Sequence, residues 1–162
     1  MDKLEVIKSK ILSSESLPAK LAYWRFHSQK IVFTNGCFDL LHAGHIDYLA
    51  KAAGMGDQLI IGLNSDNSVK RLKGNERPVM DEYSRSMLLA SLETVSAVVI
   101  FEEDTPYELI KMVNPDVLVK ASDYNPEDIV GYDVVTSKGG EVVTVELLPG
   151  YSTTGIIQKI KG

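Results

Sequence analysis

The sequence has one cysteine, Cys37, so no disulfide can close within the chain. No apolar run approaches the roughly 18 to 20 residues that would span a bilayer. The opening residues MDKLEVIKSK lack the apolar centre of a secretory signal, which points to the cytoplasm and away from a membrane. Positive charge is also scarce. With 17 basic residues against 22 acidic ones the formal charge is -5, which disfavours a broad grip on nucleic acid but allows a local basic pocket. Repeats, low-complexity tracts and long flexible linkers are missing too, so the 162 residues read as one globular unit burying roughly two-thirds of its unfolded surface. Histidine occurs three times, yet two of the three stand three residues apart in TNGCFDLLHAGH, at His42 and His45.

Short β-branched runs alternate with longer amphipathic ones. IVFTN at 31–35, QLIIGLN at 58–64, AVVIF at 97–101, VLVKA at 117–121 and EVVTVEL at 141–147 read as buried parallel strands. Helices are expected near 44–53, 66–71, 81–92, 105–113 and 152–160, with a short one after Pro126. The pattern predicts a Rossmann-like, doubly wound open α/β sheet of about five parallel strands with helices on both faces. Residues 1–29, with helix-like LEVIKSKIL and LPAKLAYWRFH, read as an N-terminal helical extension to a main unit at 30–162. In such sheets ligands bind beyond the carboxyl ends of the strands, which is where the histidine motif falls.

The motif has the makings of a phosphate site. Gly36 allows close backbone approach, and a helix beginning near Ala43-Gly44 offers unsatisfied amides. His42 and His45 can share one side of its first turn and donate to phosphate oxygens. A single charge at a helix end gains only about 0.3 to 1 kcal/mol, so several converging donors are required. Cys37 reads as a packed small residue rather than a nucleophile, and zinc is disfavoured because Cys37, His42 and His45 have no evident fourth ligand. His27 reads as a surface or packing residue, Met80 and Met87 as core.

TNGCFDLLHAGH resembles the signature of the HxGH nucleotidyltransferase superfamily. GDQLIIGLNSDNSVKRLKG, NERPVMDEYSR, FEEDTPYELI, PDVLVK and YSTTGII are similar, more narrowly, to the adenylyltransferases of bacterial ADP-heptose synthesis in their free-standing form. The likeness covers about residues 30–161. It implies ATP and D-glycero-β-D-manno-heptose 1-phosphate as substrates, ADP-heptose and pyrophosphate as products, and a role in the lipopolysaccharide inner core. It also implies magnesium carried with ATP, no metal held by protein ligands alone, and a homo-oligomer. The chemistry would be direct in-line attack of the sugar-phosphate oxygen on the α-phosphorus.

On this resemblance His42 and His45 stabilise the phosphates, with Lys73 as a third catalytic residue. Thr34, Asn35, Gly36, Phe38 and Gly44 border the nucleotide, and Asp39 orients the loop. Lys120 contacts phosphate or substrate with Asp123 orienting it, though both also fit an ordinary strand-end ion pair. Ser152, Thr153 and Thr154 hold ATP phosphates and equally suit a helix cap. Lys70, Arg71, Lys73 and Arg77 concentrate charge in SVKRLKGNERP. This run is either a solvated face or a phosphate clamp, and the resemblance favours the clamp, with Lys70, Arg71, Arg77 and the helix-borne Arg85 on the sugar phosphate. Two positions depart from the pattern: Ala121 stands where glycine is usual, and Gln158 where arginine is common. Two other functions stay open: a cytidylyltransferase acting on glycerol 3-phosphate or another phosphate acceptor, and a non-catalytic nucleotide-binding module.

Overall fold

A computed structural model describes residues 2–162. Six strands form one parallel sheet: β1 (Ile11–Leu12), β2 (Ile31–Gly36), β3 (Gln58–Asn64), β4 (Ala97–Phe101), β5 (Val117–Ala121) and β6 (Glu141–Val145), in the order β1-β4-β3-β2-β5-β6. The helices are α1 (Lys3–Lys8), α2 (Leu17–Phe26), α3 (Ala43–Ala53), α4 (Asp66–Lys73), α5 (Glu82–Ser91), α6 (Tyr107–Val113), α7 (Tyr132–Ser137) and α8 (Thr153–Lys161), with a 3-10 turn at Pro126–Asp128. The doubly wound α/β architecture expected from the alternating pattern is the one observed.

Because both faces of the sheet are covered, its central strands are apolar at nearly every position rather than every second one. Successive residues feed opposite cores. Phe33 and Leu118 pack with Leu17, Leu21 and Trp24 of α2 and Ile110 of α6. Val32, Val117 and Val119 pack on the other face with Tyr48 and Leu49 of α3 and Leu89 of α5. Each large side chain so buried contributes about 1.5–3 kcal/mol.

The sheet has a strand that the sequence pattern does not announce. LEVIKSKIL reads as one helix, but α1 stops at Lys8 and the chain turns, so that Ile11 and Leu12 pair with Val98 and Val99. The Val98 amide also donates to the Lys10 carbonyl at 2.9 Å. Two residues are too short a run to leave a period, and the pairing exists only because β4 supplies an edge. At the other edge β6 ends at Val145, and Leu147 leaves the sheet.

From β2 the chain winds outward through β3 and β4, then returns across the sheet to β5 on the opposite side of β2. The order therefore reverses between β2 and β5, and a crevice opens beyond their carboxyl ends.

Candidate active site

A cavity of about 680 Å³ fills that crevice. Its floor is the end of β2 and the loop into α3; its walls come from the ends of β3 and β5, from α4 and its following loop, and from the start of α8.

The loop is tightly built. Phe38 takes φ +44°, rare for an aromatic residue, and its ring lies where a Cβ on Gly36 would come within 3.0 Å. Gly36 therefore makes room for Phe38, which is buried and lies 5.4 Å from the His45 ring, centroid to centroid. A Cβ on Gly44 would meet the His42 ring at 3.0 Å and Cβ of Tyr151 at 3.1 Å, so helix start, imidazole and the α8 approach close on one another there.

His42 is the N-cap of α3, and its carbonyl accepts from the His45 amide at 3.0 Å. The two imidazoles stack with centroids 3.8 Å apart and planes 23° from parallel. Nδ1 of His45 faces the His42 amide at 3.4 Å, which leaves Nε2 to carry the proton of the neutral ring. Nδ1 of His42 is buried with no partner. Burial lowers the pKa of His42. For His45, burial and then the neighbouring His42 bring it down to about 4, against a smaller upward pull from the Leu40 carbonyl. At neutral pH the pair is therefore uncharged in the empty protein and donates as N–H groups.

Asp39 is 2 % exposed. It accepts from Arg77 Nε at 2.6 Å, from the Val79 amide at 2.9 Å and from the Met80 amide at 3.0 Å. Its burial alone would raise its pKa; the Met80 and Val79 amides and the Arg77 guanidinium outweigh that and hold it below the ordinary carboxylate value. Asp39 thus ties the histidine loop to the basic loop, the orienting role the sequence suggested.

Arg85, read from sequence as a helix-surface residue on the sugar phosphate, is 1 % exposed and is not among the cavity's lining residues. It donates to the carbonyls of Cys37, Asn64 and Met80 at 2.7, 2.8 and 3.0 Å and to Asp66 Oδ1 at 2.8 Å. A guanidinium can be buried this fully because four of its five N–H donors are so engaged. It shapes the cavity from behind.

The basic run divides. Lys73 and Arg77 line the cavity; Lys70 and Arg71 do not. Lys70 is exposed, and Arg71 is bound to Asp104 at 2.7 Å and Glu102 at 3.3 Å. Gly74 ends α4 with φ +99°. Thr34 lies just beneath the floor, its hydroxyl 2.9 Å from that of Tyr48, which also donates to the Val119 carbonyl at 3.1 Å. Burial, only partly offset by Thr34, raises the Tyr48 phenol to about 12 and keeps it neutral.

Lys120 and Asp123 both line the cavity, without the ion pair between them that the sequence allowed. The Lys120 side chain makes no hydrogen bond or ion pair among the described residues, and burial lowers it to about 8 against a small upward pull from Cys37. Cys37 is itself raised by burial, more than its basic neighbours Lys73, Arg85 and Arg77 lower it, and so remains a thiol. Ala121, where glycine was expected, has no positive φ, so glycine's conformational freedom is not needed at that position.

Ser152 caps α8, its hydroxyl accepting from the Gly155 amide at 2.9 Å, and Thr153 donates to the Leu40 carbonyl at 3.4 Å. Capping and cavity lining coexist, since Ser152, Thr153 and Thr154 all face the crevice. His27 caps α2, bonds the Tyr23 carbonyl at 2.8 Å and is not among the cavity's lining residues, while Met80 and Met87 are only half-buried. The structure adds lining residues that drew no site role from the sequence: Asn64, Tyr124, Leu147 and Tyr151. Among the described residues no three histidine, cysteine or acidic side chains gather as a metal site, and no helix is long and apolar enough to cross a membrane.

A family model described as cytidylyltransferase-like matches residues 33–159. The bifunctional protein HldE of Rhodopseudomonas palustris (strain BisB5) is 52% identical over 155 residues, covering 95% of this chain and 32% of the relative. HldE of Wolinella succinogenes is 51% identical over 155 residues, covering 96% and 32%. The chain thus spans about a third of the length of these relatives. Of solved structures, a lipopolysaccharide core biosynthesis protein from Thermoplasma volcanium GSS1 superposes with TM-score 0.59 at 28% identity, over 74% of this chain and 97% of that one. A pantoate-beta-alanine ligase from Francisella tularensis gives 0.61 at 16% identity, over 93% and 76%, a likeness of fold alone.

Proposed function

Since the chain belongs to the cytidylyltransferase-like family of nucleotidyltransferases, we propose that it joins ATP to D-glycero-β-D-manno-heptose 1-phosphate, giving ADP-heptose and pyrophosphate for the lipopolysaccharide inner core. The observation that carries the reading is the convergence on one cavity of the stacked His42–His45 pair, the hydroxyls at the start of α8, and Lys73 and Lys120. The similarity to the HldE proteins and to a lipopolysaccharide core biosynthesis protein supports it.

The acceptor's phosphate oxygen forms a bond to the α-phosphorus of ATP as the bond from that phosphorus to the bridging oxygen of the β-phosphate breaks, and pyrophosphate departs. The nucleophile is already an anion, so no side chain has to remove a proton from it. What the chain supplies is alignment and neutralisation of charge. His42 and His45 donate N–H groups to the phosphate that changes partners. The open amides of α3 and α8 and the Ser152–Thr154 hydroxyls receive the leaving pyrophosphate. Lys73 and Arg77 close over the charge, with Arg77 held in place by Asp39.

Magnesium enters as part of the substrate. The cavity's donors are amides, hydroxyls, imidazoles and ammonium groups, a set that fits a triphosphate bringing its own ion to shield its charge. The same reading has the reaction in the cytoplasm and the enzyme as a homo-oligomer, which light scattering measures.

The test crosses ATP and CTP against heptose 1-phosphate and glycerol 3-phosphate, following pyrophosphate release with and without excess chelator and identifying products by mass. Turnover confined to ATP with the heptose phosphate, and abolished by chelator, is the expected result. Turnover with CTP and glycerol 3-phosphate favours the second reading, which the description of the matching family model supports. Nucleotide binding without turnover on any pair would make the chain a binding module.

A further inference from the structure

Asn35 and Lys120 both line the cavity at the ends of adjacent parallel strands. The β2–β5 ladder ends at the pair Phe33 and Leu118, and each of the two residues stands two positions beyond its strand's member of that pair, where the crevice opens. They share a face. Thr34, one residue before Asn35, reaches Tyr48 of α3, and Val119, one before Lys120, packs in the same core as Tyr48. Strand alternation therefore turns Asn35 and Lys120 to the sheet face away from α3. Opposite Asn35 on the other neighbouring strand is Gly62, which adds no side chain.

Both residues are unsatisfied in complementary ways. Oδ1 of Asn35 is buried with no hydrogen-bond partner, an unfavourable state that a ligand's donor would relieve. The Lys120 ammonium is largely desolvated and pairs with no carboxylate among the described residues. A ligand that answers both needs carries a hydroxyl and an anionic oxygen on one small framework, as a sugar phosphate does.

In-line displacement requires the nucleophile to enter opposite the leaving group. With the open amides of α3 and α8 and the α8 hydroxyls receiving pyrophosphate on the α3 side, the acceptor enters from the other face of the sheet. We propose that Asn35 and Lys120 form the acceptor subsite, Lys120 drawing in the sugar phosphate and Asn35 accepting a hydrogen bond from one sugar hydroxyl. Asn35 is then a specificity residue for the acceptor and not, as its position in the motif suggests, part of the nucleotide pocket. This rests on the adenylyltransferase reading above.

The test separates the two substrates. Pyrophosphate release gives the KM for heptose 1-phosphate at saturating ATP, and calorimetry gives the ATP dissociation constant without acceptor. Asn35→Ala and Lys120→Met should each raise the acceptor KM at least tenfold and leave ATP binding within twofold of wild type. Asn35→Ser, which keeps an acceptor oxygen, should recover part of the loss. Tenfold weaker ATP binding with an unchanged acceptor KM would overturn the proposal and make this a nucleobase pocket; no change in either would overturn it outright. If Asn35→Ala does not fold, Asn35→Ser and Lys120→Met decide by the same criteria. Wild-type protein inactive with every acceptor refutes the functional reading itself and the subsite with it. If it instead prefers glycerol 3-phosphate, the same variants are scored on that hydroxyl-bearing phosphate.

Discussion

Arg77 Nε donates to Asp39 Oδ2 at 2.6 Å, across a gap of 38 residues in sequence, and the same carboxylate receives the amides of Val79 and Met80. One buried acid therefore fixes both the histidine loop and the basic loop. Replacing Asp39 by alanine leaves a guanidinium and two amides without their acceptor, at a cost of about 3 kcal/mol in urea unfolding. The pH dependence has a definite sign. The folded pKa of Asp39 lies below the ordinary carboxyl value, so its contribution is present above that value and lost as pH falls through the lower folded one. Asp39→Asn should flatten the acid limb of the stability curve.

His45 gives a second acid-dependent slope in a different window. Its folded pKa of about 4 lies below the 6.5 of a free imidazole, so stability is whole above pH 6.5 and declines as pH drops from 6.5 towards 4. His45→Gln removes that slope. Triphosphate binding favours the charged ring, so MgATP binding near pH 5.5 should take up protons, visible as a dependence of binding enthalpy on buffer ionisation heat. Equal enthalpies across buffers would separate the imidazoles from the phosphates.

Lys120 trades stability for charge. With a folded pKa of about 8, it loses its proton as pH rises through 8, and kcat/KM for the acceptor should fall over that range. Lys120→Arg should move the alkaline limb above pH 10. Lys120→Met relieves the burial of an ammonium and should raise neutral-pH stability by on the order of 2 kcal/mol while turnover drops.

Gly44 tests the packing of the helix start. An added methyl must displace the His42 ring or the Tyr151 side chain at its Cβ, since it would lie 3.0 and 3.1 Å from them. A shift of the imidazole by about 1 Å lowers turnover about 100-fold. Helix propensity favours alanine by about 1 kcal/mol, so Gly44→Ala should stay folded by circular dichroism while kcat collapses.

The sheet was legible wherever burial on both faces left a continuous apolar run. QLIIGLN, AVVIF and VLVKA are β3, β4 and β5 residue for residue. Ile11–Leu12 was not, because a two-residue strand is defined by its partner rather than by its own pattern. The histidine loop and the α8 cap were likewise visible as local motifs. Asn64 and Tyr151 lay within the family-like stretches without drawing a site role and Tyr124 lay outside them, because a residue at a strand end or in a loop joins the cavity only through tertiary packing. Arg85 carried a signal that its charge obscured: it stands four residues before Leu89 and beside Ser86, on the buried stripe of α5.

Trp24, Leu21 and Leu17 are 3 %, 2 % and 0 % exposed, beneath the sheet face that carries Phe33 and Leu118. Cutting the chain before Lys30, where its motif-bearing part begins, would strip that face to water together with the edge occupied by β1. Anyone transplanting this catalytic module onto another carrier has to take the segment before Lys30 along, although none of its described residues lines the cavity.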